Sequence, residues 1–508
     1  MLKRVLIKSL QAATLSVAVG LLGWMLLALA EYEAHLTMTT NGLAVASAGL
    51  SLLGLILLIV GASYWLSHRG TRAVCLVFSG LTSLKFLAIA WLKIAPTSDF
   101  WNYHALAAFS AQGMTWHQMW TRGLLGNYVI FPHSLNIANF FSLITAFLGA
   151  NFFISQLTNV LCTLLDMWLI YWLGARWLSR QMGLIASLIF YCIPAYWLYS
   201  TLLNGAEPLF VTFVLLTLLA LTKALQPAIT AAPNDPWLNL CLALIATLAA
   251  NMLRPIMTVW LIAVLLFTGV HWLQTFPRKT TKRLWLYLGG AMLLLTSSAG
   301  LNNWLYGIQL APSNVETTYS LATGTNVATQ GTYNAKIMGQ VTHQLKVNPT
   351  PAKAYSKLAQ QLTQDTQLNV QQLQQQHRWF SFIDDKMQQL LGPDYGYNWV
   401  LYNLQSRRTG NTWYRLRYFV ITLSAAYFGL MLIAALIASV LGLRQLTKPH
   451  FLNQYFFMSA LLFDGFTLSN LILEVQGRYH VIIYLPLIAL IICGIAALKI
   501  RYHQSEDV

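Results

Sequence analysis

Apolar runs of twenty residues and more alternate with short polar turns along most of the chain, as around Leu50–Val60 and through Tyr418–Leu443. A helix needs about 20 apolar residues to cross a hydrocarbon core of roughly 30 Å. A membrane barrel would instead show segments of about 10 alternating residues. The pattern predicts twelve spans, at 5–30, 43–66, 72–94, 151–174, 183–201, 207–225, 238–253, 256–274, 284–302, 418–442, 454–472 and 479–498. The expected fold class is therefore an all-α polytopic membrane protein.

Composition agrees. Of 508 residues, 57% are hydrophobic and 9% charged, against roughly 25% charged in a soluble domain. The net charge of +16 would suggest nucleic-acid binding in a soluble chain. In a membrane protein it is the mark of basic cytoplasmic loops, and no nucleic-acid partner is expected. The five cysteines, Cys75, Cys162, Cys192, Cys241 and Cys493, all lie in apolar segments without paired spacing. They offer neither a disulfide framework nor a zinc site.

Basic residues set the expected orientation. Lys3, Arg4 and Lys8 precede the first span; Arg69 and Arg72, Arg176 and Arg180, Arg278–Arg283, Arg444 and Lys448, and Lys499 and Arg501 follow later ones. With twelve spans all of these fall on one side, which the positive-inside rule makes cytoplasmic. Both termini would then be cytoplasmic. The apolar stretch 133–149 would invert every later loop if it crossed. It carries His133, Asn136 and Asn139, so Pro132–Gly149 reads as a re-entrant or surface helix. Ala28-Leu29-Ala30 resembles a signal-peptidase site, but the long run before it favours a retained anchor.

Four parts follow. Residues 1–70 hold two N-terminal spans, 71–302 a transmembrane core with an outer loop at 95–132, 303–412 a long extracytoplasmic loop, and 413–508 the C-terminal spans. The long loop holds eleven glutamines between Gln340 and Gln376. Within it, Lys353–Gln376 is expected to be helical, with Leu358, Leu362 and Leu373 on its apolar face.

Ten of the fifteen acids are placed outside: Glu31, Glu33, Asp99, Glu207, Glu316, Asp365, Asp384, Asp385, Asp394 and Glu474. Asp99 directly follows a span, in Pro96-Thr-Ser-Asp99-Phe-Trp-Asn-Tyr103-His104. Phe100, Tyr103, His104, Ala107 and Ala108 then recur at helical spacing, as in a helix lying on the bilayer. Asp99 could cap that helix. It could equally act as a general base toward a hydroxyl at headgroup level. Arg254 and Arg478 sit at outer ends of spans, either as snorkelling anchors or as bidentate phosphate ligands. Glu207 opens a span before Pro208, where a first-turn acid suits the helix dipole. Glu474, four residues before Arg478, could form an ion pair with it. Asp166, Asp464 and Lys85 lie inside spans, where structural pairing or proton relay is expected.

Three of these pieces together resemble the GT-C superfamily of polyprenyl-phosphate-sugar glycosyltransferases, whose relatives include protein O-mannosyltransferases and lipid A aminoarabinose transferases. They are Ser98-Asp99-Phe100 after a span, Leu203-Asn-Gly-Ala-Glu207-Pro208-Leu-Phe opening a span, and Glu474-Val-Gln-Gly-Arg478-Tyr479-His480 before Pro486. Their order matches over roughly residues 70–500. The resemblance implies a GT-C-like architecture of about 12 spans. It also implies transfer of a sugar from a lipid phosphate carrier to an acceptor outside a bacterial plasma membrane. Asp99 would be the base and the anomeric centre would invert. Arg478 and Arg254, with Glu207, Tyr103, His104, Tyr479 and His480, would bind the lipid phosphate and sugar. The partners implied are a polyprenyl-phosphate-linked sugar, a cell-envelope acceptor and membrane lipids. Metal-dependent members carry an Asp-x-Asp pair where this chain has Ser98-Asp99-Phe100. A divalent metal is therefore unsupported, and the spacing of His104, His117 and His133 matches no metal signature. Two other readings remain open: a polysaccharide polymerase or ligase using a lipid diphosphate, and a transporter or flippase. No inverted repeat favours the last.

Overall fold

Long helices carry the chain back and forth, and their termini decide where the polar residues gather. The structure is a computed structural model that describes residues 2–37, 42–225, 235–273, 278–392, 396–447 and 451–506. Asp394, Lys448 and Asp507 lie outside the described residues, as do the side chains of Glu33, Arg407, Arg408 and Arg501.

The first three helices, α1 (Leu2–Thr37), α2 (Gly42–Ser67) and α3 (Thr71–Trp91), are each long and apolar enough to cross a membrane. The chain then changes character. Three short helices, α4 (Ser98–Ala111), α5 (Trp116–Thr121) and α6 (Pro132–Leu148), precede the long α7 (Phe152–Trp177). Next come α8 (Arg180–Cys192), α9 (Pro194–Trp197), α10 (Glu207–Leu225), α11 (Pro236–Leu253), α12 (Met257–Leu273) and α13 (Arg278–Tyr306). Among the described residues, ten helices are long and apolar enough to cross a membrane, eleven if α8 and α9 count as one broken span. A shorter apolar helix, Met257–Val270, stands where the eighth span was expected.

The stretch 183–201 is not the straight crossing that its hydropathy predicts. Pro194 removes a backbone donor and holds Ile193 in an extended conformation (ψ 116°). The helix axis bends by 62° there and continues as a π-helical turn, Leu198–Leu202. Buried polar groups hold the bend. Lys85 Nζ of α3 donates to the Tyr196 carbonyl (3.2 Å) and the Thr201 hydroxyl (2.9 Å). Asn159 Nδ2 of α7 donates to the carbonyls of Ser200 (2.5 Å) and Gly205 (2.8 Å). Asp166 accepts from Thr212 Oγ1 at 2.6 Å. Asp166 and Lys85, both within spans, thus serve as ties between helices.

After α13 the chain leaves the bundle and builds α14 (Ser313–Gly324), α15 (Ala335–Val347), α16 (Pro351–Gln375), α17 (Trp379–Leu391) and α18 (Tyr397–Asn403). It returns through α19 (Arg407–Gln445), α20 (Leu452–Ile472) and α21 (Tyr484–Glu506). The apolar face expected in the long loop is there: Leu358, Leu362 and Leu373 of α16 are fully buried. They belong to no isolated domain. Leu358 and Leu362 share one core with Leu106, Met119 and Leu135 of the earlier short helices and with Val315 and Tyr319 of α14. Residues 95–132 and the long loop therefore form one layer at one end of the bundle. Ala95 N donates to Asn403 O (2.9 Å) and Gln405 N to Lys93 O (3.0 Å), closing that layer where it meets the spans.

The N-terminal helix is part of this arrangement. α1 runs unbroken through Ala28-Leu29-Ala30, with Ala28 and Leu29 buried. Its Trp24 Nε1 donates to Asp384 of α17 at 2.6 Å, and its indole stacks on Phe380. The far ends of the spans bring the basic turns together. Arg180 bonds the Arg69 carbonyl, Arg283 the Ala224 carbonyl (2.8 Å), Lys8 the Thr447 carbonyl (3.3 Å) and Lys499 the Gln181 side chain (2.5 Å).

Candidate active site

A cavity of about 1400 Å³ opens where the layer of short helices meets the spans. That exceeds the roughly 300–1,000 Å³ of an ordinary small-molecule pocket, so there is room for two substrates. Its wall includes Asp99, Asn102, Tyr103, Tyr128, His133, Glu207, Arg254, Glu316, Glu474, Arg478 and Tyr479.

Asp99 stands in the first turn of α4, but it does not cap the helix. Thr97 occupies the N-cap position, and Ser98 takes a left-handed backbone conformation (φ 56°). Both carboxylate oxygens of Asp99 bond groups outside the helix. Arg478 Nη2 donates to Oδ2 at 2.9 Å, and the Tyr128 hydroxyl donates to Oδ1 at 2.9 Å. Asn102 Nδ2 donates in turn to the Tyr128 oxygen at 2.6 Å. Burial pushes the Asp99 carboxyl upward, but the Arg478 charge and the two hydrogen bonds outweigh it. The group is held below the usual carboxylate range and is ionised at neutral pH.

A second pair lies beside the first. Arg254, at the end of α11, bonds the Glu207 carboxylate that opens α10. The Ser200 hydroxyl reaches the other Glu207 oxygen at 3.4 Å. Gly205 permits this closeness, because a Cβ there would collide with the Glu207 carboxylate and lie 2.9 Å from the Tyr199 carbonyl. Tyr103 is buried between the two pairs. Burial and the charge of Asp99 push its phenol upward, so it stays protonated. Two guanidinium groups and two carboxylates thus share one low-dielectric region with balanced charge.

Farther into the layer, His133 Nδ1 lies 2.7 Å from Glu316 Oε1. Glu474 does not pair with Arg478 as a helical i, i+4 partner, because the chain is not helical there. It accepts from Gln476 Nε2 at 2.6 Å. Burial pushes its carboxyl upward, with Gln476 and Arg478 opposing.

Six of the eight site residues expected from the sequence therefore meet in one wall: Asp99, Tyr103, Glu207, Arg254, Arg478 and Tyr479. Two do not. His104 lies one position past Tyr103 on α4 and turns toward Phe152 and Trp101; burial pulls its imidazole down. His480 is fully buried, stacked on Phe428, with Nδ1 3.0 Å from the Leu390 carbonyl. It packs the last span against α17 and touches no part of the cavity.

Sequence reasoning missed Tyr128 and Lys386. Nothing local marks Tyr128. Lys386 carries a signal, because it falls between Phe382 and Leu390 on the buried face of α17. Burial draws its ammonium down to about 7, with Glu474 opposing. Among the described residues, no group of three or more His, Cys, Asp or Glu side chains is placed to hold a metal ion.

Comparison with known proteins now bears on this geometry. The model of a family described as dolichyl-phosphate-mannose-protein mannosyltransferase matches residues 132–301, a third of the chain. The match supports a GT-C superfamily membrane glycosyltransferase. No curated protein and no solved structure matches the chain. The matched stretch runs from α6 into α13, so it contains Glu207 and Arg254. Asp99 and Arg478 lie on either side of it, and only the fold joins them to the matched pair.

Proposed function

We propose that the protein transfers a sugar from a polyprenyl-phosphate carrier to a hydroxyl of a cell-envelope acceptor, a glycopolymer, lipid or protein. The transfer takes place on the extracytoplasmic face of a bacterial plasma membrane. The observation that carries this reading is the pairing of Asp99 with Arg478 in a cavity that also holds Arg254 and Glu207. The family match adds the donor class by analogy.

At rest, both Asp99 oxygens are engaged. A donor phosphate entering the cavity offers Arg478 a second anion. As the guanidinium swings to it, Asp99 loses its strongest stabilising charge while it stays partly buried, and its basicity rises. Asp99 then takes the acceptor proton as the hydroxyl oxygen attacks the anomeric carbon. The bond from that carbon to the phosphate oxygen breaks, its electron pair stays on the phosphate, and the anomeric centre inverts. Arg478 and Arg254 hold the charge that builds on the leaving phosphate, which favours the transition state over the ground state. Tyr103 and Tyr479 face the same space and suit the sugar.

The balanced charge of the quartet fits a singly charged phosphodiester better than a diphosphate. Supplying the purified protein with polyprenyl monophosphate and diphosphate sugars tests this directly. Transfer from the monophosphate alone is expected. Transfer from the diphosphate alone would replace the proposal with the polymerase or ligase reading, and donor-independent transport without transfer would favour a transporter.

A further inference from the structure

Between α20 and the 3-10 turn Gly477–Ile483, the chain runs extended for a few residues, and this strap carries Arg478 into the cavity. Leu473 and Gln476 both have extended backbones (ψ −178° and 151°). Leu473 N still donates to Ser469 O of α20 (2.9 Å) and Gln476 O accepts from Tyr479 N (2.9 Å), but between these ends the strap has no helical hydrogen bonds, so its position must be set by groups from elsewhere. The long-range backbone bonds to it come from the layer of short helices. Lys386 Nζ of α17 donates to the Leu473 carbonyl at 2.7 Å and to the Gly324 carbonyl at the end of α14 at 2.6 Å. Val475 N donates to the Gly331 carbonyl at 2.9 Å. At Gly324 the two backbones touch, and a Cβ there would collide with the Leu473 carbonyl and the Glu474 nitrogen.

Lys386 is fully buried. A buried ammonium costs more than an apolar side chain of similar size unless its hydrogen bonds are satisfied. Two strong carbonyl acceptors meet that need, and one of them lies five residues before the guanidinium that grips Asp99. An ordinary packing residue on this face would hold α17 in place without addressing the strap at all.

We propose that Lys386 is a positioning residue that sets Arg478 in the cavity by holding the Leu473 carbonyl. This rests on the reading that Arg478 binds the donor phosphate. Lys386 touches neither substrate. It acts through the strap, so the layer of short helices governs the phosphate site at a distance.

The test is a double-mutant cycle on the purified full chain, with polyprenyl monophosphate as the probe and native mass spectrometry or tryptophan quenching as the readout. Hydrogen exchange at the Val475 amide is measured in parallel, without lipid. Lys386→Met is expected to weaken lipid phosphate binding by about tenfold, near 1.4 kcal/mol, and to speed exchange at Val475. Combined with Arg478→Ala, it should add nothing further, because coupled residues are not additive. A residue that merely stabilised the fold would weaken both backgrounds alike. If Lys386→Met does not fold, Lys386→Leu, which likewise removes the donor, is read in the same way. A folded Lys386 variant with unchanged exchange at Val475, or with fully additive effects, overturns the proposal. Failure of the wild-type chain to bind polyprenyl monophosphate, with exchange still responding, would instead count against the donor reading and leave the strap role standing.

Discussion

Asp99 Oδ2 and Arg478 Nη2 lie 2.9 Å apart, although 379 positions separate the two residues in the chain. One stands in the first turn of α4, just after α3, and the other in the 3-10 turn that leads into the last helix; both line the cavity. In the proposed mechanism this contact is a resting lock that a donor phosphate must open.

Tyr128 supports the same carboxylate. Its hydroxyl is one of the groups that keep Asp99 below its ordinary value of 3.8. Tyr128→Phe should move the acid limb of the kcat/KM profile to higher pH. It should lower the plateau by about tenfold, the worth of one hydrogen bond to a charged group. The sign follows from linkage. A depressed carboxylate adds stability above its unfolded pKa and loses it as pH falls through the folded value. Tyr128→Phe should therefore also raise the pH at which acid unfolding begins. A pH–rate profile and an acid melt check both.

Glu207 and Arg254 are mostly shielded, with side chains 7% and 19% exposed. Removing one partner leaves the other charge buried, a loss of about 3 kcal/mol or more. Glu207→Gln and Arg254→Met should each lower the melting temperature in detergent. The double variant should recover much of the stability but none of the transfer. A double variant whose loss equals the sum of the two single losses would show that the pair does not act as a unit.

Lys386 gives a pH signature of the same sign as Asp99, at higher pH. Its folded pKa of about 7 lies below its ordinary 10.5. Between those values the unfolded chain binds a proton that the folded chain does not, so this residue makes stability rise with pH across that window. Between pH 7 and 10.5 the melting temperature of the wild type should rise relative to that of Lys386→Met. The variant should lack the part of the slope that Lys386 supplies. Parallel curves would contradict the buried ammonium.

The orientation has its own check. The turn at Lys279 belongs to the basic end of the bundle, away from the cavity. A cysteine at Lys279 in a cysteine-free background should react with an impermeant maleimide only after the cells are opened. Labelling of intact cells would place the cavity on the cytoplasmic side.

Much of the site was legible because Asp99, Glu207, Arg254 and Arg478 each sit where an apolar run meets a polar one, and such boundaries gather at a single end of a bundle. Side-chain direction was less legible. Tyr103 and His104 are neighbours on one helix, and Tyr479 and His480 on one turn, yet only the tyrosines face the cavity. A motif read as a string gives every member equal standing, whereas a helical turn sends adjacent residues to different faces. The bend at Pro194 could have been read from the proline inside an apolar run, but hydropathy averaged it away. The Tyr128–Asp99 and Lys386–Leu473 contacts depend on packing between distant segments, and no local pattern encodes them.

The central claim is that Asp99 is the base and that Arg478 leaves it for the donor phosphate. Asp99→Asn, correctly inserted in the membrane, separates the two halves in one preparation supplied with a labelled polyprenyl-phosphate sugar. The account predicts that transfer disappears while polyprenyl phosphate binds at least as tightly as to the wild type, since Arg478 no longer has an anion to abandon. Wild-type turnover by that variant would contradict it.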